Sequence, residues 1–217
     1  MVKKFWLLGM MLLSAVLFSM AVTLVDVASI GPEGSKVGFS TLNKAVFSSL
    51  GENMKWDKIT DVIVVVSILM AGIFLLIGVI QWLGRKSLKK VDKEILGLGL
   101  VLVLIGVVYI VFEKFLTINY RPILENGVLE PSFPSTHTLV TVTLLVVAMR
   151  IFTKVLQDKK TRIFLDIILV LMMGLMVFGR LAAGMHWLTD VVGAILWSGV
   201  IIMVYEIFFE RVKIKDE

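Results

Sequence analysis

The chain has 217 residues, a length suited to one domain. Hydrophobic residues make up 58% and charged residues 18%, against roughly 45–50% and about 25% in soluble chains, which excludes a water-soluble globule, a disordered chain and a collagen-like fibre. The absence of cysteine excludes disulfides, thiol nucleophiles and thiolate metal sites, and the net charge of +5 is carried between long apolar runs, as in a membrane protein rather than a nucleic-acid binder.

A helix needs roughly 20 apolar residues to cross a bilayer core. Phe5–Val25 is the first such run, preceded by Lys3 and Lys4, and is read as an uncleaved helix rather than a signal peptide. The outer connection that follows, from about Asp26 to Asp61, contains a helical pattern in which Phe39, Leu42, Val46 and Leu50 share a face and Gly51 is the stop. It reads as a short helix covering the bundle, or as one lying in the membrane interface beside an entrance. Val62–Leu83 and Ile95–Phe112 are the second and third spans. The polar connection Glu113–Thr136 holds three of the four prolines, and long irregular connections of this kind are usually functional. Leu139–Val155, Ile163–Phe178 and Leu188–Phe209 complete the set, the last two separated by the very short connection Gly179–Trp187.

The expectation is an all-α, polytopic membrane protein of six transmembrane helices in one bundle, a single domain over residues 1–217. With the N-terminus inside, 15 of the 22 Lys and Arg fall on cytoplasmic segments and 7 outside. That bias puts both termini in the cytoplasm. Trp6, Trp56, Trp82 and Trp187 fall at helix ends as interface anchors, while Trp197 falls mid-span. Gly97, Gly99, Gly106 and Gly174 are expected to let helices approach closely. Asp166, four residues after Arg162, is expected to form a structural ion pair with it.

Chemistry-bearing residues gather at the outer helix ends. Lys114 and Arg121 bracket the end of the third helix, Arg180 closes the fifth, and the two histidines of the chain, His137 and His186, open the fourth and sixth. Asp190 lies one helical turn after His186. Three cations without nearby acids point to an anion with several oxygens, and phosphate is the natural one. The start of the fourth helix adds backbone N–H groups and the Ser135 hydroxyl. A histidine backed by a carboxylate is an oriented nucleophile or base, and a second histidine can donate a proton.

The spacings Lys114-x6-Arg121-Pro122, Pro134-Ser135-Thr136-His137 and Gly179-Arg180-x5-His186-x3-Asp190 resemble the three-part motif of the type 2 phosphatidic acid phosphatase superfamily, within residues 114–190. Thr136 stands where the family has Gly, and Gly179 where it has Ser. The resemblance implies that His186 attacks phosphorus, Asp190 orients it, and His137 protonates the leaving oxygen. Lys114, Arg121, Ser135, Thr136 and Arg180 would bind the phosphoryl group. It implies a phosphatase acting through phosphohistidine, without cofactor or metal, on a lipid phosphate or pyrophosphate at the outer leaflet. Phosphatidylglycerophosphate, phosphatidic acid and undecaprenyl pyrophosphate all suit that reading. The implied partners are the substrate and membrane lipids, with no nucleic acid and no obligatory protein. Taken singly, these residues also have plain readings: an interface histidine, a snorkelling lysine, an Arg180–Asp190 ion pair, a helix cap at Ser135 or Thr136. An inactive binding or assembly protein and an anion transporter are the alternative functions. No relay of ionisable residues crosses the midplane, as a transporter would suggest.

Overall fold

The computed structural model describes residues 2–125 and 127–214; Asn126 and Lys215 lie outside the described residues. Six helices in it are long and apolar enough to cross a membrane. They are α1 (Val2–Leu24), α3 (Met54–Arg85), α4 (Lys93–Ile110, extended by a π-helical turn Val111–Phe115), α5 (Thr136–Val155), α6 (Lys159–Ala182) and α7 (Leu188–Ile214). The chain is thus a multi-pass, all-α membrane protein. A short helix, α2 (Ser40–Leu50), and a two-residue antiparallel strand pair, Ala28–Ser29 with Lys36–Val37, fill the connection after α1.

Helix α5 is the axis of the bundle and packs against α3, α4, α6 and α7, while α1 lies against α7. Half of α5's apolar window is buried, against 17% for α1 and α6. The rest of their apolar surface, for example Leu13, Leu17, Phe164 and Leu171, faces outward, where lipid replaces water and exposure carries no hydrophobic cost. Polar groups turn inward instead. The Ser67 hydroxyl donates to the Ile63 carbonyl at 2.8 Å and that of Ser198 to the Leu139 carbonyl at 3.3 Å.

Several expectations are corrected by packing. Trp187 is no interface anchor. It is 3% exposed, its indole N–H donates to the Tyr120 carbonyl at 2.8 Å, and its ring meets Phe47. Trp197 is at home mid-span, because Phe112 and the Ser19 hydroxyl accept it. Gly97 does admit a close neighbour, the Tyr205 ring, but Gly99, Gly106 and Gly174 face open space. Asp166 does not pair with Arg162; its Oδ1 is buried without a hydrogen-bond partner. Helix α2 forms and stops at Gly51 as the sequence predicts, yet its buried residues are Ser40 and Asn43 while Leu42 and Leu50 are exposed. Polar partners decide this. Asp26 accepts from the Ser40 hydroxyl at 3.0 Å and the Thr41 N–H at 2.8 Å, and those contacts hold its carboxyl below the usual range.

Helix α3 starts two turns earlier than its apolar run. Asn53 caps it, its side-chain oxygen accepting from the Lys55 N–H at 3.0 Å. The extra turns carry Asp57 and Asp61 to the same end of the bundle as His137, with which Asp61 pairs, and Arg180, with which Asp57 pairs.

Candidate active site

The end of the bundle formed by the starts of α3, α5 and α7 and the ends of α4 and α6 holds a cavity of about 360 Å³. Arg121, Thr136, His137 and His186 line it, with Tyr109, Phe112, Glu113 and Glu130. Beneath and beside it lie Arg180, Ser135 and Asp190, each at most 1% exposed.

Local geometry explains how each side chain arrives there. The turn between α6 and α7 is short because Gly184 adopts a positive φ of 71°, which side chains rarely tolerate. Its packing against Phe47 of α2 leaves little room for a Cβ. The Asp190 Oδ2 then accepts from the Trp187 N–H at 3.0 Å and sits 3.6 Å from His186 Nδ1. That last distance exceeds a hydrogen bond, though catalytic contacts are often long before substrate arrives. Burial above all, and then the charges of Arg180, Arg121 and His137, push the His186 ring well below the ordinary histidine value of 6.5. A buried imidazole beside cations is thereby kept neutral, the form that can attack phosphorus.

The start of α5 is tied to the same place, since the Ser135 N–H donates to the Asp190 backbone carbonyl at 3.1 Å. Ser135 occupies the N-cap position, but its hydroxyl pairs with that of Thr138 at 3.0 Å instead of capping the helix. His137, the second residue of α5, contacts Asp61 Oδ1 through Nε2 at 3.1 Å.

The cations are not without acids, contrary to the sequence expectation. Arg121 is held between Glu125 and Glu130, the latter at 3.1 Å. A tight turn brings these together: the Arg121 N–H donates to the Glu130 carbonyl at 2.9 Å, and Glu125 bridges to Val128. Arg180 donates to Asp57 Oδ1 at 2.6 Å and to the Thr60 hydroxyl at 3.2 Å, so it pairs with α3 rather than with Asp190. Lys114 is 3.9 Å from Glu113, its side chain is 64% exposed, and it does not line the cavity. A cation that loses water on burial needs a carboxylate or a ligand near it, and α3 supplies the first.

Sequence reading missed Asp57, Asp61 and Asn119. The carboxamide of Asn119, buried completely, donates to Asp190 Oδ1 at 2.8 Å. Asn53 as a cap, followed by Asp57 and Asp61 at i, i+4 spacing, was the available signal for two of them. Asn119 gave none. Gly179 has a packing reason, because a Cβ there would sit 2.6 Å from the Thr60 methyl and 3.3 Å from the Trp56 ring. The missing side chain lets α6 approach α3 closely enough for Arg180 to reach Asp57. Among the described residues, no group of three or more His, Asp or Glu converges as a metal-binding set.

The sequence pattern of the PAP2 superfamily matches residues 94–213, more than half of the chain and all of the site described above except the residues supplied by α2 and α3, Asp57, Thr60 and Asp61 among them. The chain belongs to the PAP2 superfamily. Its fold is similar to that of a transmembrane PAP2-type phosphatidylglycerolphosphate phosphatase from Bacillus subtilis, with a TM-score of 0.65 at 15% identity, over 94% of this chain and 96% of that one. No curated protein matches the sequence. The first three segments of this PAP2 chain, α1 to α3, lie outside the matched pattern, and the carboxylates on α3 that hold Arg180 and His137 therefore come from outside it.

Proposed function

We propose that the chain is a lipid phosphate or pyrophosphate phosphatase that works through a phosphohistidine on His186, without metal, at the outer leaflet. PAP2 membership supports lipid phosphatase chemistry at the level of the family. The observation that carries the finer reading is the buried His186, with Asp190 Oδ2 3.6 Å from its Nδ1, a cavity containing Arg121 and His137 before it, and a ring that burial holds below the ordinary histidine value.

In this reading the Nε2 lone pair of His186 forms a bond to phosphorus as the bond to the lipid oxygen breaks. His137 gives its proton to that oxygen. Asp190 stabilises the charge that appears on the imidazole. Water then attacks the phosphorus, gives a proton back to His137, and releases phosphate and a free His186. Arg121 meets the phosphoryl oxygens by exchanging a carboxylate contact for them, and the Arg180 charge acts from below. Lys114, outside the cavity and turned outward, meets the phosphate only if its side chain swings in, and Ser135 and Thr136 present the start of α5. Each preorganised donor at such a site is worth about 3–4 kcal/mol of transition-state stabilisation.

The test is phosphate release by purified protein in detergent from phosphatidic acid, phosphatidylglycerophosphate and undecaprenyl pyrophosphate. The wild type is expected to hydrolyse at least one, to be inhibited by vanadate and to be indifferent to chelators. His186→Ala is expected to fold and release nothing. Activity of His186→Ala near wild type overturns the nucleophile, and loss of wild-type activity on chelation, restored by a divalent ion, overturns the metal-free chemistry. Binding of the lipid without release by the wild type supports the second reading, a binding protein, which the carboxylates around Arg121 and Arg180 favour.

The charge bias of 15 to 7 supports an extracytoplasmic site with both termini inside. Because the chain lacks cysteine, a cysteine replacing Asn126 gives a clean label. Reaction with an impermeant thiol reagent in intact cells is expected, and reaction only after lysis reverses the orientation.

A further inference from the structure

Behind His186 the carboxylate of Asp190 is held by groups at positions the three motifs leave unspecified, Asn119 within the x6 of the first and Trp187 and Thr189 within the x3 of the third. Its Oδ2 takes the Trp187 N–H and faces the imidazole; its Oδ1 takes the Asn119 amide at 2.8 Å. An ionised carboxylate only accepts hydrogen bonds, so the amide nitrogen of Asn119 must be the atom turned toward it. The same nitrogen reaches the Thr189 hydroxyl at 3.2 Å. That hydroxyl also accepts from Asn43 Nδ2 at 3.0 Å, and the Thr189 N–H donates to Asn43 Oδ1 at 3.2 Å. Asn43 spends its other amide hydrogen on the Gly38 carbonyl at 2.7 Å. Asn43 and Asn119 are fully buried, and Thr189 is 3% exposed.

We propose that Asn119, fixed by Thr189 and Asn43, is a positioning residue that locks Asp190 against His186 and makes helix α2 part of the active-site frame. The inference rests on the reading of His186 and Asp190 as the reacting pair. With Oδ1 engaged by Asn119 and Oδ2 by a backbone N–H, the carboxylate cannot turn. Oδ2 therefore stays 3.6 Å from His186 Nδ1, a buried atom with no other hydrogen-bond partner, so that the contact, once it tightens, holds the ring proton on that atom and leaves Nε2 unprotonated for the cavity. The buried polar face of α2 is explained by the same contacts. Asn43 is 146 residues from Thr189 in sequence, so α2 would have no reason to bury an amide unless something at the site end required it.

The chain has two histidines, so histidine-selective nitrogen-15 labelling yields two rings with two nitrogen signals each, assigned with a His137→Asn variant. Wild-type protein in detergent is expected to show His186 protonated at Nδ1 and bare at Nε2. In Asn119→Leu that tautomer preference is expected to disappear, and kcat on short-chain phosphatidic acid to fall roughly 100-fold with KM little changed, the effect of a misplaced reacting group. Asn43→Ala is expected to cause a smaller fall of the same kind, because Thr189 still holds Asn119. The near-isosteric Asn119→Asp guards against misfolding. It loses the N–H donor but regains an O–H donor when the two buried carboxyls share a proton, so tautomer and kcat are expected to recover toward acid pH and to be lost toward alkaline pH. Arg121, Arg180 and His137 face the same pair in every variant, so the difference isolates position 119. A wild-type tautomer and kcat in both Asn119 variants overturns the proposal, as does a fall in thermal stability alone. If the wild type releases no phosphate, the functional reading fails, while the ring signals still decide whether Asn119 sets the histidine.

Discussion

Both ends of the bundle set cations against carboxylates, but at different depths. At the site end, Arg180, His186 and Asp190 are between 0 and 5% exposed. At the opposite end, Arg150 pairs with Glu206 at 2.6 Å, Lys154 with Glu94 at 2.6 Å and Arg85 with Asp92 at 3.2 Å, the cation side chains being 56%, 47% and 44% exposed. Cations that are half-exposed keep most of their hydration and clamp helix ends at little cost, even where the acid, as at Glu94, is buried. Buried ones give up hydration, and their attraction recovers that loss only partly. A chain that buries an arginine, a histidine and an aspartate together is therefore maintaining them for something besides stability, whereas the opposite end needs no explanation beyond packing.

The sharpest test of that contrast is Arg180→Gln. It removes the buried guanidinium and leaves Asp57, whose side chain is 17% exposed, without its partner, and the expected loss is about 2–3 kcal/mol of stability, read by thermal or denaturant melts in detergent. A loss no greater than that of an exposed pair would erase the distinction between the two ends.

The pH profile comes next. Because burial lowers His186 below its ordinary 6.5, the ring is neutral and competent through neutral pH and gains its proton only well below that value. The acid limb of kcat/KM is expected on the acid side of 6.5, and a limb at or above it breaks the assignment. Stability follows the same sign. It is fully present above the unfolded value and falls as pH drops through the lowered native value, since unfolding then lets the ring charge.

Gly179→Ser restores the residue usual in the family but inserts a Cβ against Thr60 and Trp56. An overpacking cost of about 1–3 kcal/mol is expected, with activity falling because α6 and Arg180 are displaced. Unchanged stability would show that α3 yields freely there. Arg85→Ala, at the exposed end, is expected to cost within about 1 kcal/mol and to leave turnover unchanged.

How legible all this was depended on distance along the chain. The spans were readable because hydropathy and helical period are local, and α3 was misjudged only at its start, where two turns of polar helix precede the apolar run. His186 with Asp190, and Pro134 to His137, were readable because each group lies within one turn or one cap. The partners of the cations were not. Arg121 sits in a hairpin-like turn whose closing contacts with Glu125 and Glu130 are set by backbone pairing, and Lys114 turns outward on a π-helical turn that no composition signal announces. For α2 the sequence left open whether the apolar stripe faces the bundle or the membrane interface, and the polar partners of Ser40 and Asn43 decide it, turning Leu42 and Leu50 outward.

The sequence by itself determined that this chain crosses the membrane six times and gathers two histidines, three cations and Asp190 at one set of helix ends, since both follow from short-range period and spacing. Only the tertiary structure decided which acids meet those cations and what holds the histidine. His137 meets Asp61 across 76 residues, Arg180 meets Asp57 across 123, and Asp190 meets Asn119 across 71. Such contacts depend on how α3 and the outer connection pack against α5, α6 and α7. That packing is fixed by the shape of whole helices, as where Gly179 lets α6 approach α3, and not by any one segment's pattern.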